Sequence, residues 1–327
     1  ATLPATLGAD APYENMGTIQ TKGWELAIDY RHTFKNGLHF GVTASVADDK
    51  TEVTKWTYNT KIPSYGATGW WDKSAYKEGM VLGDIWGLQF DRFLTEDDFN
   101  ADGSLKAGLP DQTKVFPAGY QFAPGDVLYK DLDNNGEIVK QTNTNDKGDL
   151  SVIGNALPRL QFGLNLDAAW KGFDISMFFQ GVAKRKLWAA GNQVLPGFTT
   201  GEPFYKGAED YWTPENTDAF YPRPMDYKQS ASGNYSVNDR YLLNMAYLRL
   251  KTFTVGYSLP KVWLSKFKVQ GLRVYFTGEN LFTIDGVKPA IDPEIGIRTA
   301  SGKSDQRNFG RSYPYQKTVS FGIQLSL

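Results

Sequence analysis

From Gln316 to Leu327 apolar and small polar residues alternate, with Val319, Phe321, Ile323, Leu325 and Leu327 on one parity and Thr318, Ser320, Gly322, Gln324 and Ser326 on the other. A strand sends successive side chains to opposite faces, so this segment has one greasy face and one small, polar face. The pattern recurs along the chain in runs of about ten residues, the span of a tilted strand crossing a bilayer. Such a chain is expected to fold as all-β, an antiparallel transmembrane β-barrel wall with long extracellular loops.

Composition narrows the function. The 327 residues contain no run of the ~20 apolar residues a membrane helix needs. Aromatic residues reach 14% and Gly 33, which suits a barrel wall with aromatic girdles and equally a lectin-like sandwich. A net charge of −1 offers no basic field for nucleic acid. The absence of cysteine excludes disulfides, thiol catalysis and Cys-ligated metals. Ala1 to Asp10 has neither the basic start nor the apolar core of a signal peptide. An outer-membrane placement therefore predicts further sequence upstream.

The first strand is expected from about Thr21 to Phe34, with Trp24, Leu26, Ile28 and Tyr30 facing outward. Asn36-Gly37 marks a hairpin turn. A second strand carries Leu38, Phe40, Val42, Ala44 and Val46 outward, and a long segment begins at Ala47. Alternation resumes from Leu160 to Trp170, turns at Lys171-Gly172, and continues through Phe173, Ile175, Met177 and Phe179. A strand from Tyr247 to Leu259 changes parity midway, which predicts a bulge near Lys251–Thr252. The strand from Gly271 to Phe282 and the terminal strand complete the set.

Short and long connections alternate strictly, as the periplasmic turns and extracellular loops of outer-membrane barrels do. Seven spanning strands follow. The strand-like run Gly83 to Phe90 would break that parity and is placed in the loop layer or against the lumen. An odd number cannot close as an antiparallel barrel, and an open edge in lipid leaves backbone groups unpaired. More wall is expected from elsewhere.

Several motifs stand in a fixed order: Asn15-Met16-Gly17 leading to Lys22-Gly23-Trp24-Glu25, Glu78-Gly79 to Trp86-Gly87, and Pro124-Gly125-Asp126 to Asp133-Asn134-Asn135-Gly136. Gly154 to Pro158, Lys171-Gly172-Phe173-Asp174, Gly278-Glu279-Asn280-Leu281-Phe282-Thr283, Asp292-Pro293-Glu294 and Tyr313-Pro314 follow. Together they resemble the C-terminal part of SusC/RagA-type TonB-dependent outer-membrane transporters of Bacteroidetes. Val81 replaces the family's usual proline, and Leu327 stands where such barrels usually end in an aromatic residue. The resemblance covers nearly all of residues 1–327. It implies a barrel of about 22 strands, a plug and a TonB-contacting segment outside this chain, and a SusD-like surface lipoprotein as a lid. It also implies oligosaccharide or peptide substrates and a dimer of transporter–lid pairs in the cell outer membrane.

Candidate sites lie in the loops. Asp131, Asp133 and Asn135 occupy calcium-loop positions with Gly136 after them, but Thr142 replaces the bidentate glutamate of an EF-hand. Calcium is the candidate ion, and an Asx-rich turn is the competing reading. Trp70, Trp71, Tyr205, Tyr211, Trp212 and Tyr221 could stack on sugar rings, pack the loops together or meet the lid. Asp29, Arg31, Asp167, Asp174, Arg249, Lys251 and Arg273 are expected to face the lumen, as a solvated wall or in ion pairs with the plug. His32 and His39 fall on opposite faces, so they form no shared metal site. No nucleophile elbow or positioned carboxylate pair supports catalysis. A soluble carbohydrate-binding β-sandwich is the alternative, and it requires a second sheet over the apolar face.

Overall fold

The alternating runs form strands in the computed structural model, which describes residues 15, 17–57, 77–140, 147–189, 191–198, 204–225, 233–265, 269–288, 291–294, 299–300, 303–304 and 315–327. In chain order the strands are β1 (Gly17–Thr33), β2 (His39–Trp56), β3 (Asp84–Gly87), β4 (Phe90–Phe93), β5 (Val127–Tyr129), β6 (Ser151–Asn155), β7 (Arg159–Trp170), β8 (Phe173–Lys184), β9 (Lys186–Leu187), β10 (Leu243–Asn244), β11 (Tyr247–Ser258), β12 (Gly271–Asp285), β13 (Thr299–Ala300), β14 (Lys303–Ser304) and β15 (Thr318–Ser326). One seven-stranded sheet runs β1-β2-β7-β8-β11-β12-β15, with every neighbouring pair antiparallel. Its strands are the seven expected from the alternation. The sheet does not close on itself.

Turn chemistry sets the register at one end. Gly37, at φ +82°, lets the backbone close the β1–β2 hairpin, where the Gly37 N–H donates to the Phe34 carbonyl at 2.9 Å. Lys171 and Gly172 both take positive φ, which matches the right-handed twist of β7 and β8. The β11–β12 connection contains a single helical turn, Lys261–Leu264. The expected bulge is present, as the register of β11 against both neighbours shifts between Leu250 and Thr252.

The apolar parity is exposed. Trp24, Leu26, Ile28 and Tyr30 are 50–56% accessible, and Phe321 reaches 81%. Among the described residues no second sheet covers this face. That arrangement disfavours the sandwich, which would bury it.

One boundary needs correction. β2 does not end near Val46 but continues to Trp56, paired with β1 up to Gly17, whereas β7 accompanies it only from His39 to Ala47. The hairpin therefore rises about 30 Å above its neighbour at ~3.3 Å per residue. Its upper part, Ala47 to Trp56, is polar on both faces, so alternation gives no warning of it. Only Val53 there is fully buried, beneath the backbone pairing of Val53 with Gly79 and Met80.

The long connections fold into a layer of their own. β3 pairs with β6, β4 with β5, and β9 with β10, so the run from Gly83 to Phe90 lies in this layer and not in the wall. Two apolar clusters hold it. One gathers Ile85, Trp188, Leu195, Tyr241 and Met245, and the other Leu88, Phe93, Phe116, Val127, Tyr129 and Trp212. Ile85, Leu88, Leu195 and Met245 are completely buried. Each such side chain contributes about 1.5–3 kcal/mol relative to exposure, and each cluster draws on segments far apart in sequence.

Candidate functional site

Asp29, Arg31, Asp167, Asp174, Arg249, Lys251 and Arg273 all find partners within the chain. Arg273 reaches across β11 to Asp174, with Nε donating at 2.9 Å. Gly256 lies beneath that crossing, and a β-carbon there would meet the Arg273 guanidinium at 2.5–2.7 Å. His39 lies 3.5 Å from Asp167, and Asp29 accepts from Thr43 Oγ1 at 2.7 Å and from Arg31 at 3.4 Å. The most buried constellation surrounds Arg249, which donates to Thr283 Oγ1, Glu294 and Asp292 at 2.8, 3.0 and 2.7 Å. Lys251 joins at Glu294, and the Tyr315 ring lies over both cations. This cluster ties the last long connection to β11.

Above the wall a buried polar clamp joins two other connections. Asp126 is completely buried and accepts from Arg223 Nε at 2.8 Å, Tyr120 OH at 2.8 Å, Asn234 Nδ2 at 2.9 Å and the Ala123 N–H at 2.9 Å. Asn234 in turn accepts from the Val127 N–H at 2.7 Å. Gly125 takes φ +90° here, and its bare α-carbon lets the Trp212 ring pack against it. Burial and the neighbouring Asp126 raise the Tyr120 phenol well above its usual range. A buried pair with this many donors is costly to break.

Beside the clamp lies a cavity of about 550 Å³ lined by Pro196, Phe204, Tyr205, Tyr211, Tyr221 and Tyr235, with Lys206 and Glu209 also on its wall. Proline, tyrosine and phenylalanine give flat apolar walls with few polar edges, the lining expected of a small-ligand site. Tyr211 is 40% exposed, while Tyr221 is buried and donates its hydroxyl to the Val194 carbonyl at 2.9 Å. Burial pushes the Tyr221 phenol up to about 12.

Of the six aromatic candidates, Tyr205, Tyr211 and Tyr221 meet at this cavity. Trp212 points the other way into the second apolar cluster, and Trp70 and Trp71 lie outside the described residues. Phe204 and Tyr235 were not singled out. The Tyr221-Pro222-Arg223-Pro224 run was the available signal, since prolines fix a rigid edge beside an aromatic residue.

The acidic candidates are rearranged by a distant residue. Asp131, Asp133 and Asp149 bring carboxylate oxygens within 4.8 Å of one another. Asp149 accepts from the N–H groups of Leu132 and Val139 at 2.7 and 2.8 Å, and Asp131 accepts from Gly136 N–H at 2.8 Å. The remaining Asp131 Oδ1 is buried without a hydrogen-bond partner. Asn135 lies at the edge, its amide donating to Asp133 at 3.0 Å and its oxygen accepting from Glu137 N–H at 2.8 Å. Desolvation, then the carboxylates of Asp131 and Asp149, raise the Asp133 carboxyl above its usual range. Three hard oxygen donors fit calcium better than a softer metal. Asp149 escaped the sequence reading because it lies beyond any twelve-residue loop.

An apolar-faced antiparallel wall, short turns at one end and a folded loop layer at the other define a segment of a transmembrane β-barrel. The chain is 26% identical to TonB-dependent receptor P3 of Formosa agariphila, over 99% of this chain and 30% of that receptor. It is 22% identical to the TonB-dependent receptor SusC of Bacteroides thetaiotaomicron, over 96% of this chain and 27% of SusC. Among solved structures, the RagAB peptide transporter superposes with a TM-score of 0.65 at 18% identity, over 99% of this chain and 31% of that one. No family model matches. Over nearly its whole length the chain is thus similar to TonB-dependent receptors of the SusC type, and it spans about three-tenths of the length of the curated relatives it matches.

Proposed function

We propose that the chain supplies part of the wall and outer loop layer of a TonB-dependent importer in the cell outer membrane, taking up oligosaccharides or peptides. The observation that carries this reading is the seven-stranded wall with an uncovered apolar face, similar over its whole length to TonB-dependent receptors. The polar face lines the passage, and a SusD-like surface lipoprotein seats over the loop layer. Energy arrives from TonB through a plug outside this segment, and transporter–lid pairs associate as dimers.

The first test is fractionation of the native polypeptide, followed by uptake of labelled oligosaccharides and peptides in cells with and without its gene. Outer-membrane location with gene-dependent uptake is expected. A soluble protein would overturn the reading.

Within this importer the cavity at Tyr205, Tyr211 and Tyr221 contacts substrate. Tyr211→Ala in the full receptor with its lid is expected to weaken binding of the transported compound about three- to tenfold, since one aromatic contact contributes ~0.5–1.5 kcal/mol beyond its buried area. Isothermal titration measures this, and unchanged affinity would remove the cavity from the substrate path.

The carboxylate cluster holds calcium in the loop layer, a reading supported by the orphaned Asp131 Oδ1. Calcium is expected to protect the 130–149 segment from proteolysis in the wild type and not in Asp133→Asn. Equal protection in both would show that these carboxylates do not bind the ion.

A further inference from the structure

The short-turn end of the wall carries a charge bias that transport does not account for. The described residues of the three connections, 34–38, 170–173, and 259–265 with 269–270, contain Lys35, Lys171 and Lys261 and no aspartate or glutamate. In the structure Lys35, Lys171 and Lys261 are exposed. Asp174 directly follows the second turn but is paired with Arg273, and Asp167 lies further along β7 beside His39. They do not neutralise the turns.

The same rim exposes large apolar side chains. Phe34, Trp170 and Phe173 continue the outward parity of β1, β7 and β8, and Val262 and Trp263 stand on the helical turn at 78% and 61% exposure. The connections form one continuous edge. Trp170 Nε1 donates to the Asn36 carbonyl at 3.3 Å, joining the first turn to the second. The Ser258 N–H donates to the Gly172 carbonyl at 2.8 Å, and the Phe173 and Tyr257 rings lie 4.5 Å apart, joining the second to the third. Lys171 Nζ sits 4.4 Å from the Trp170 ring, so cation and aromatic occupy the same spot.

Amphipathic aromatic rings settle at the headgroup level of a bilayer, and lysines flanking them meet lipid phosphates. An anionic headgroup layer attracts such lysines, each adding several-fold to affinity. We infer that the short-turn rim is a binding surface for anionic phospholipid, and that it selects phosphatidylglycerol-type headgroups in the periplasmic leaflet around the transporter. The inference rests on the importer reading for its orientation. It adds a lipid partner and a place for it.

The test uses the full-length receptor, purified from outer membranes in detergent, stripped of lipid and titrated with phosphatidylglycerol or phosphatidylcholine under native mass spectrometry. Preferential retention of phosphatidylglycerol is expected. It should fall about tenfold or more in the variant Lys35→Gln/Lys171→Gln/Lys261→Gln, given the several-fold contribution of each lysine. These side chains are exposed, and unchanged heat-modifiable migration will confirm that the variant barrel is folded. Equal retention of both lipids, or an unaffected variant, would overturn the inference. Displacement of the lipid by millimolar inorganic phosphate would also overturn it, by revealing a general anion site. A receptor absent from the membrane fraction would defeat the importer reading itself, whereas a membrane-bound receptor indifferent to headgroup charge defeats the lipid inference alone.

Discussion

Asp126 joins two of the long connections through a single side chain. Its carboxylate is completely buried and engages partners from its own connection, Tyr120 and Ala123, and from the β8–β11 connection, Arg223 and Asn234. Asp126→Ala leaves Arg223 without its ion pair, and losing one partner of a buried pair costs about 3–5 kcal/mol. Hydrogen exchange is expected to speed up at 115–129 and 233–236 while the wall strands keep their protection. Asp98 gives a milder case with a defined pH dependence. Arg92 donates to both of its oxygens and holds its carboxyl down at about 2, against an unfolded value of 3.8. Its contribution is therefore complete above about pH 4 and is lost as pH falls through about 2. Proteolysis of the 95–106 turn should rise in that window for the wild type and show no such step in Asp98→Asn. Neither role was legible beforehand. Asp126 stood in a recognisable Pro-Gly-Asp motif, but Arg223 and Asn234 lie about a hundred residues away, and irregular loops carry no period that would pair them.

At the scale of the element, the wall strands were legible because one face meets an apolar medium and the other does not. That requirement imprints period two on each of them. Where it lapses, legibility lapses too. β2 above Ala47 and the ladders β3·β6 and β4·β5 are short or polar on both faces, and their pairing partners are set by the clusters they bury. Facing can be tested on β15, where Val319→Asp and Ile323→Arg place charge on the exposed apolar parity and Ser320→Asp on the other. A midplane Arg on the lipid face costs about 2–4 kcal/mol, so outer-membrane levels should drop for Ile323→Arg and Val319→Asp and hold for Ser320→Asp. Equal levels for all three would refute the facing. Gly256→Val tests the crossing on β11, since the added carbons occupy the space of the Arg273 guanidinium. The barrel should still assemble but melt several degrees lower, as loss of a charged hydrogen bond costs about 1.5–3 kcal/mol.

For the whole molecule, wall and loop layer are two constructions joined at few points. The wall strands neighbour one another in chain order, and three of the six neighbouring pairs are joined by short connections that the sequence marks. The loop layer is assembled from segments that meet across the top of the sheet, which is why three cavity-lining tyrosines could be named as aromatic candidates without their being known to converge. The clamp at Asp126 now carries a consequence for descent. Connections pinned together by Arg223, Asn234 and Trp212 cannot drift independently, because a change at one end strands a charge at the other. The cavity rim at Phe204, Lys206 and Glu209 lies outside those pins and is free to vary. Sequences descended from a common ancestor with this one should therefore differ first at that rim, and should inherit residues 126 and 223 as an unbroken pair.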